Sequence, residues 1–170
     1  GSGTFTDSGQ SLGDHTSWGI TLGDVDGDGD LDVVVANWGQ GNRVWVNNGS
    51  GTFTDSGQSL GDHNSKDIAL GDVDGDGDLD AVVANWGEGN RVWLNDGSGN
   101  FIDSAQSLGD HNSPDVALGD VDGDGDLDAV VANYNQANRV WLNDGSGTFT
   151  DSGQSLGDHS SIGITLGDVD

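Results

Sequence analysis

Short runs of alternating hydrophobic and polar residues recur along the chain, each closed by Gly, Asn or Asp. In Gly19-Ile20-Thr21-Leu22-Gly23 the apolar Ile20 and Leu22 stand two apart, and Ile68 and Leu70, Val116 and Leu118, and Ile164 and Leu166 repeat the spacing. A period of two predicts a half-buried strand. Val33-Val34-Val35-Ala36 is a compact β-branched run, as expected of a strand buried on both faces. Arg43-Val44-Trp45-Val46 reads as a third strand. Phe53-Thr54-Asp55-Ser56, running on towards Leu60, reads as a weaker fourth. The Gly, Asn and Asp clusters between them suit hairpin turns. No stretch has helical spacing, so no helix is expected, and no apolar run reaches the length of a membrane-spanning helix.

The pattern is itself repeated. Gly-Asp-Val-Asp begins at Gly23, Gly71, Gly119 and Gly167, a period of 48 residues. Residues 1–48, 49–96 and 97–144 read as three copies, and 145–170 as a partial fourth, consistent with a segment of a longer array. Four short strands within a 40–50-residue period are the signature of a propeller blade. The expected fold is therefore all-β, a tandem series of four-stranded antiparallel blades of the β-propeller type.

Composition narrows the function. Among 170 residues, 30 are acidic and 4 basic, a formal net charge of -26, and Glu88 is the only glutamate. Aspartate set among glycines points to tight turns and to oxygen ligands for hard cations. A charge of this sign disfavours nucleic acid and anionic membranes as partners. There is no cysteine, and hydrophobic residues make up 32%. A core that thin needs another source of stability, and disulfides and thiolate metal sites are excluded. No signal peptide is read in the opening residues.

The acidic residues concentrate between the first and second strands of each copy. Asp24-Val25-Asp26-Gly27-Asp28-Gly29-Asp30-Leu31-Asp32 recurs unchanged from Asp72 to Asp80 and from Asp120 to Asp128. Calcium takes six to eight oxygens in a flexible loop. Asp24, Asp26, Asp28 and Asp32 could converge if the chain curls, and Gly27 and Gly29 permit the curl. Asp30 would offer its backbone carbonyl, and Leu31 would turn inward to the sheet core. Asp72, Asp74, Asp76, Asp78 and Asp80 repeat the set, as do Asp120, Asp122, Asp124, Asp126 and Asp128; Asp168 and Asp170 form half of a fourth. Clustered carboxylates repel unless a cation sits among them. Magnesium demands tighter octahedral geometry, so calcium is preferred. An EF-hand fits worse, because it needs flanking helices and Glu at its twelfth position, which here is Val35, inside a β-branched run.

The string Gly-Asp-Val-Asp-Gly-Asp-Gly-Asp-Leu-Asp-x-Val-Val-Ala-Asn, followed by Val-Trp-Leu-Asn-Asp-Gly-Ser-Gly, resembles the FG-GAP repeat, also described as the VCBS repeat. The resemblance spans essentially the whole chain. It implies a calcium-loaded β-propeller, often seven-bladed, like the integrin α-subunit head, some fungal lectins and many bacterial secreted proteins. It also implies that Asp24, Asp26, Asp28, Asp30 and Asp32, and their copies, are the ligands.

Other repeated residues read as scaffold. Trp45, Trp93 and Trp141 suit packing between blades, and Phe5, Phe53, Phe101 and Phe149 suit core or blade-edge anchors. Arg43, Arg91 and Arg139 suit salt bridges or carbonyl contacts. His15, His63, His111 and His159 suit hydrogen bonding. Asn48-Gly49-Ser50 is a glycosylation sequon in form. Enzymes place acids in differing environments, whereas these repeat identically, and no nucleophile motif is visible, so a non-catalytic protein is expected.

Antiparallel strands put the acidic loops at one end of each blade and the variable loops at the other. The variable end carries Trp18, Trp38, Trp86 and Tyr134, which could stack on sugar rings. The chain is thus expected to be a calcium-binding structural or adhesion module of a secreted or cell-surface protein. The alternatives are a carbohydrate-binding, lectin-like propeller and the repeating unit of a calcium-stabilised extracellular fibre. Calcium is the expected cofactor, one ion per complete copy. Carbohydrate or another protein is a possible partner, and exposed array edges favour self-association.

Overall fold

The structure is a computed structural model that describes residues 3–168. Among these residues there is no helix. Twelve strands form three four-stranded antiparallel sheets. The first sheet comprises β1 (Ser17–Gly23), β2 (Asp32–Asn37), β3 (Arg43–Asn47) and β4 (Phe53–Asp55), paired in chain order. The second comprises β5 (Ser65–Gly71), β6 (Asp80–Asn85), β7 (Asn90–Asn95) and β8 (Phe101–Leu108). The third comprises β9 (Asp115–Gly119), β10 (Asp128–Ala132), β11 (Asn138–Asn143) and β12 (Phe149–Leu156). These are blade-like units of the propeller type. Each begins within one 48-residue copy and draws its fourth strand from the next.

Two expected end strands are absent. Phe5 is 99% exposed and lies in no strand, and Ile164 and Leu166 lie in none. The reason is the missing hydrogen-bond ladder: among the described residues the Phe5 segment has no β3-like neighbour and the Ile164–Leu166 segment no β2-like neighbour to pair with. Each instead docks on the adjacent sheet. Gln10 bonds the β3–β4 turn, and the Ile164 amide donates to Asp115 Oδ2 at 2.8 Å.

The core lies between sheets. Val34, Ala36, Val44 and Leu60 of the first unit, with Val25, meet Ile68, Ala81, Val83 and Phe101 of the second. Val82, Ala84, Val92 and Leu108, with Val73, meet Val116, Ala129, Val131 and Phe149 of the third. The middle strand β6 therefore gives alternate residues to both cores, which explains its unbroken apolar run. Trp93 and Trp141 pack against these cores. Phe101 and Phe149 are buried in them, whereas Phe53 is half-buried.

Leu31 corrects the sequence expectation. It does not turn into its own sheet and is 56% exposed. Its copies show where the position points: a Cβ on Gly23 would meet Leu79 Cδ1 at 2.7 Å, and one on Gly71 would meet Leu127 Cδ1 at 2.7 Å. The leucine reaches back to the preceding blade and fills space that only glycine leaves open. No described sheet precedes Leu31.

Side-chain bonds fasten neighbouring blades. Gln58 Nε2 donates to the Gly99 carbonyl, while Gln58 Oε1 accepts from the Phe101 amide at 2.8 Å. Gln106 does the same, bonding Gly147 O at 2.6 Å and the Phe149 amide at 2.9 Å. Each glutamine thus acts as a short surrogate strand across the blade boundary. Arg43, Arg91 and Arg139 donate to the carbonyls of Gln58, Gln106 and Gln154 at 3.2, 3.4 and 3.2 Å.

Candidate metal centre and the opposite loop face

Each acidic loop curls into a bowl held by its own carboxylates. Asp24 Oδ1 accepts from the Gly27 amide at 2.9 Å and Oδ2 from the Gly29 amide at 2.9 Å. Gly27 and Gly29 have φ of 75° and 94°, which a side chain would strain. Asp32 closes the loop from below. It is fully buried, with Oδ2 accepting from the Val25 amide at 2.9 Å and Oδ1 from the Asn47 amide at 2.7 Å. Asp80 repeats this with Val73 at 2.9 Å and Asn95 at 2.8 Å, and Asp128 with Val121 at 2.9 Å and Asn143 at 2.9 Å.

Three carboxylates converge in each bowl. Oxygens of Asp24, Asp26 and Asp32 lie within 4.8 Å of one another, as do those of Asp72, Asp74 and Asp80 and of Asp120, Asp122 and Asp128. The remaining aspartates are outside these groups. Asp28, Asp76 and Asp124 accept from the amides of Asp30, Asp78 and Asp126 at 2.9, 3.0 and 2.9 Å. Asp30, Asp78 and Asp126 abut the turns at Gly49, Gly97 and Gly145. Asp168 is exposed beside the third loop, where it lines a cleft with Asp120 and Asp122. Asp170 lies outside the described residues.

The electrostatics fit a divalent cation. Burial, then the neighbouring charge of Asp32, holds Asp26 above the usual carboxylate range. Burial, then Asp76, does the same for Asp74. Burial pushes Asp80 up to about 6, against the amides of Asn95 and Val73, which pull it down. The ion pairs found among the described residues all involve histidine, so no lysine or arginine neutralises a loop carboxylate. The donors are all hard oxygens, which match calcium or magnesium and not a soft metal.

The other end of the sheets is aromatic. Trp18 is 61% and Tyr134 37% exposed, whereas Trp38 and Trp86 are half-buried. The fold gathers them into two pairs. Trp18 and Trp38 stand 6.2 Å apart, and Trp86 and Tyr134 5.3 Å apart. Trp18, Lys66, Trp86, Pro114, Tyr134 and Ile162 line a cleft of about 360 Å³.

Beneath this end runs a buried polar ladder that the pattern of apolar residues did not reveal. Asn42 Nδ2 donates to Ser65 Oγ at 3.0 Å, and Ser65 Oγ to Asn85 Oδ1 at 2.8 Å. Asn90 Nδ2 donates to Ser113 Oγ at 3.1 Å, and Ser113 Oγ to Asn133 Oδ1 at 2.9 Å. Its trace in the sequence is the unvarying asparagine at 37, 85 and 133 and at 42, 90 and 138, with the unvarying serine at 17, 65, 113 and 161. The ladder fixes the loops that carry the aromatics. His63, next to it, pairs with Glu88.

Fold and site together define a tandem blade protein with an acidic oxygen-donor bowl in each unit. The FG-GAP-like repeat matches residues 24–83, 72–131 and 120–170, and the chain belongs to that repeat family. This family is generally a non-catalytic structural module. No curated protein compared with the chain matches it.

Proposed function

We propose that the chain is a calcium-binding, non-catalytic structural or adhesion module of a secreted or cell-surface protein. The observation that carries the reading is the threefold recurrence of the same carboxylate triad at the same place in each blade. A loop that joins two strands and also touches the next blade becomes rigid when a cation neutralises it. Extracellular-type calcium sites bind at about 10⁻⁴–10⁻³ M. At millimolar calcium each would contribute on the order of 1 kcal/mol by mass action. Calorimetric titration of the chelator-treated chain tests this. Calcium should bind at three sites, magnesium more weakly, and the Asp26→Ala, Asp74→Ala and Asp122→Ala variants should each lose one. An unchanged stoichiometry in all three variants would refute the assignment.

The aromatic cleft favours a second reading, carbohydrate binding at the end opposite the acidic loops. It is supported by the meeting of Trp18, Trp86 and Tyr134 around one concavity. A glycan array probed with the calcium-loaded chain tests it.

Self-association into an assembly or fibre is a third reading. Its support is the apolar sheet face carrying Ile20 and Leu22, which are exposed. Electron microscopy with and without chelator tests it.

A further inference from the structure

We propose that the aromatic cleft binds an acidic pyranose, a sugar ring bearing a carboxylate, with Lys66 pairing the carboxylate and Trp86 and Tyr134 receiving the ring. The inference rests on the carbohydrate reading of the cleft and adds the charge of its ligand.

Lys66 is the only lysine in the chain. It occupies a β-bulge, where the pairing of β5 with β6 shifts between Ser65 and Asp67. A bulge re-aims the extra residue, and here it sends the side chain to the aromatic end. The Lys66 ammonium sits 3.2 Å from the ring centre of Trp18, 4.4 Å from that of Trp38 and 5.3 Å from that of Trp86. Ring faces attract a cation and hold it in place, but they carry no net charge to neutralise it.

No carboxylate does so either. None lies within 4.0 Å of Lys66 among the described residues. Its chain neighbour Asp67 and the loop acid Glu88 are engaged elsewhere. Asp67 turns to β9, where it accepts from the Val116 amide at 3.5 Å and bonds Asp115. Glu88 pairs with His63. The acidic loops lie at the far end of strands about six residues long, roughly 20 Å away. That exceeds twice the screening length of about 8 Å at physiological salt. Lys66 is the one charged residue among those that line the cleft. Burial lowers the lysine's pKa, as expected of a cation short of counter-charge.

The other walls suit a sugar ring. Trp86 and Tyr134 pack against each other, 5.3 Å apart and tilted by 38°, and both line the cleft as one aromatic wall. Pro114 and Ile162 supply apolar edges, and about 360 Å³ is within the range of small-ligand sites. A neutral sugar would use the faces and leave the ammonium unpaired, whereas a carboxylate on the ring would complete the site.

The test is calorimetry and tryptophan fluorescence on the calcium-loaded full chain, with a glucuronate oligosaccharide and its neutral glucose counterpart. Wild type should bind the uronate at least tenfold more tightly. Lys66→Met should abolish the difference by lowering uronate affinity to that of glucose, and Lys66→Arg should keep it. If Lys66→Met fails to fold, loss of uronate binding on chemical acetylation of Lys66 in the wild type takes its place. Equal affinity for the two sugars would overturn the proposal and leave the carbohydrate reading standing. Binding of neither would remove both. An acidic peptide that displaces the uronate with equal affinity would also overturn it.

Discussion

Asn95 Nδ2 donates to the Val25 carbonyl at 2.8 Å, tying the third strand of one blade to the acidic loop of the blade before it. Asn143 and Val73 repeat the bond at 2.7 Å. Val25 is held on both sides, since its amide donates to Asp32 Oδ2. A metal bowl is thus braced by its own blade and by the next. Asn47, with no described blade before it, makes no such cross-blade bond: its Nδ2 donates to its own Leu31 carbonyl at 3.1 Å and its Oδ1 accepts from the Gly51 amide at 3.1 Å.

Asn95→Ala should therefore do two things. It should lower stability by about 1–3 kcal/mol, because a buried carbonyl loses its donor. It should also weaken calcium binding at the Asp24 loop, which lies on another blade. Asn47→Ala should leave the affinity of every site near wild type. Denaturation and calcium titration of the two variants make the comparison.

Removal of calcium should separate two kinds of aspartate. Asp74→Ala in EDTA should be neutral or mildly stabilising, since it removes a repelling charge. Asp80→Ala should stay destabilised by about 2–4 kcal/mol in EDTA, because the Val73 and Asn95 amides lose their buried acceptor. Thermal melts with and without chelator distinguish the two. Equal behaviour would contradict the division between rim and floor of the bowl.

Leu31 and Leu79 occupy the same place in identical loops. Leu79→Ala should cost about 2 kcal/mol, because Leu79 packs over Gly23 in the first inter-blade core. Leu31→Ala should fall within about 0.5 kcal/mol of wild type. Urea denaturation measures both.

Asp67 sets a pH dependence. Its carboxyl is pushed up to about 7, first by burial and then by its bond and repulsion with Asp115. The ordinary value is 3.8, so the folded chain holds this proton where the unfolded chain has released it. The stabilisation is complete below pH 4 and is lost as pH rises towards 7. Asp67→Asn keeps the acceptor for the Val116 amide and adds no charge. At saturating calcium the variant should gain in melting temperature over wild type as pH is raised from 5 to 8. A constant difference across that range would refute the shift.

Much of this protein is local and legible in its sequence. The strand pattern, the period of 48 and the Asp24–Asp32 loop lie within reach of one hairpin, and hairpin geometry follows from turn residues and alternation. The placement of acidic and aromatic loops at opposite ends needed only antiparallel pairing. Which aspartates meet was less legible. Asp28 and Asp30 have the same side chain as Asp24 and Asp26, and only the backbone path sends them to an amide and a turn.

The amino-acid sequence by itself determined the repeat, the strand periodicity and the chemistry of the acidic loop, because each depends on residues close in the chain. The tertiary structure decided what each apolar face packs against. Leu31, Leu79 and Leu127 share one sequence context and differ in burial, because burial depends on whether a neighbouring sheet covers the position. It also decided that Lys66 should meet Trp18, Trp38 and Trp86, which the chain keeps apart and the blade stack brings onto one cation.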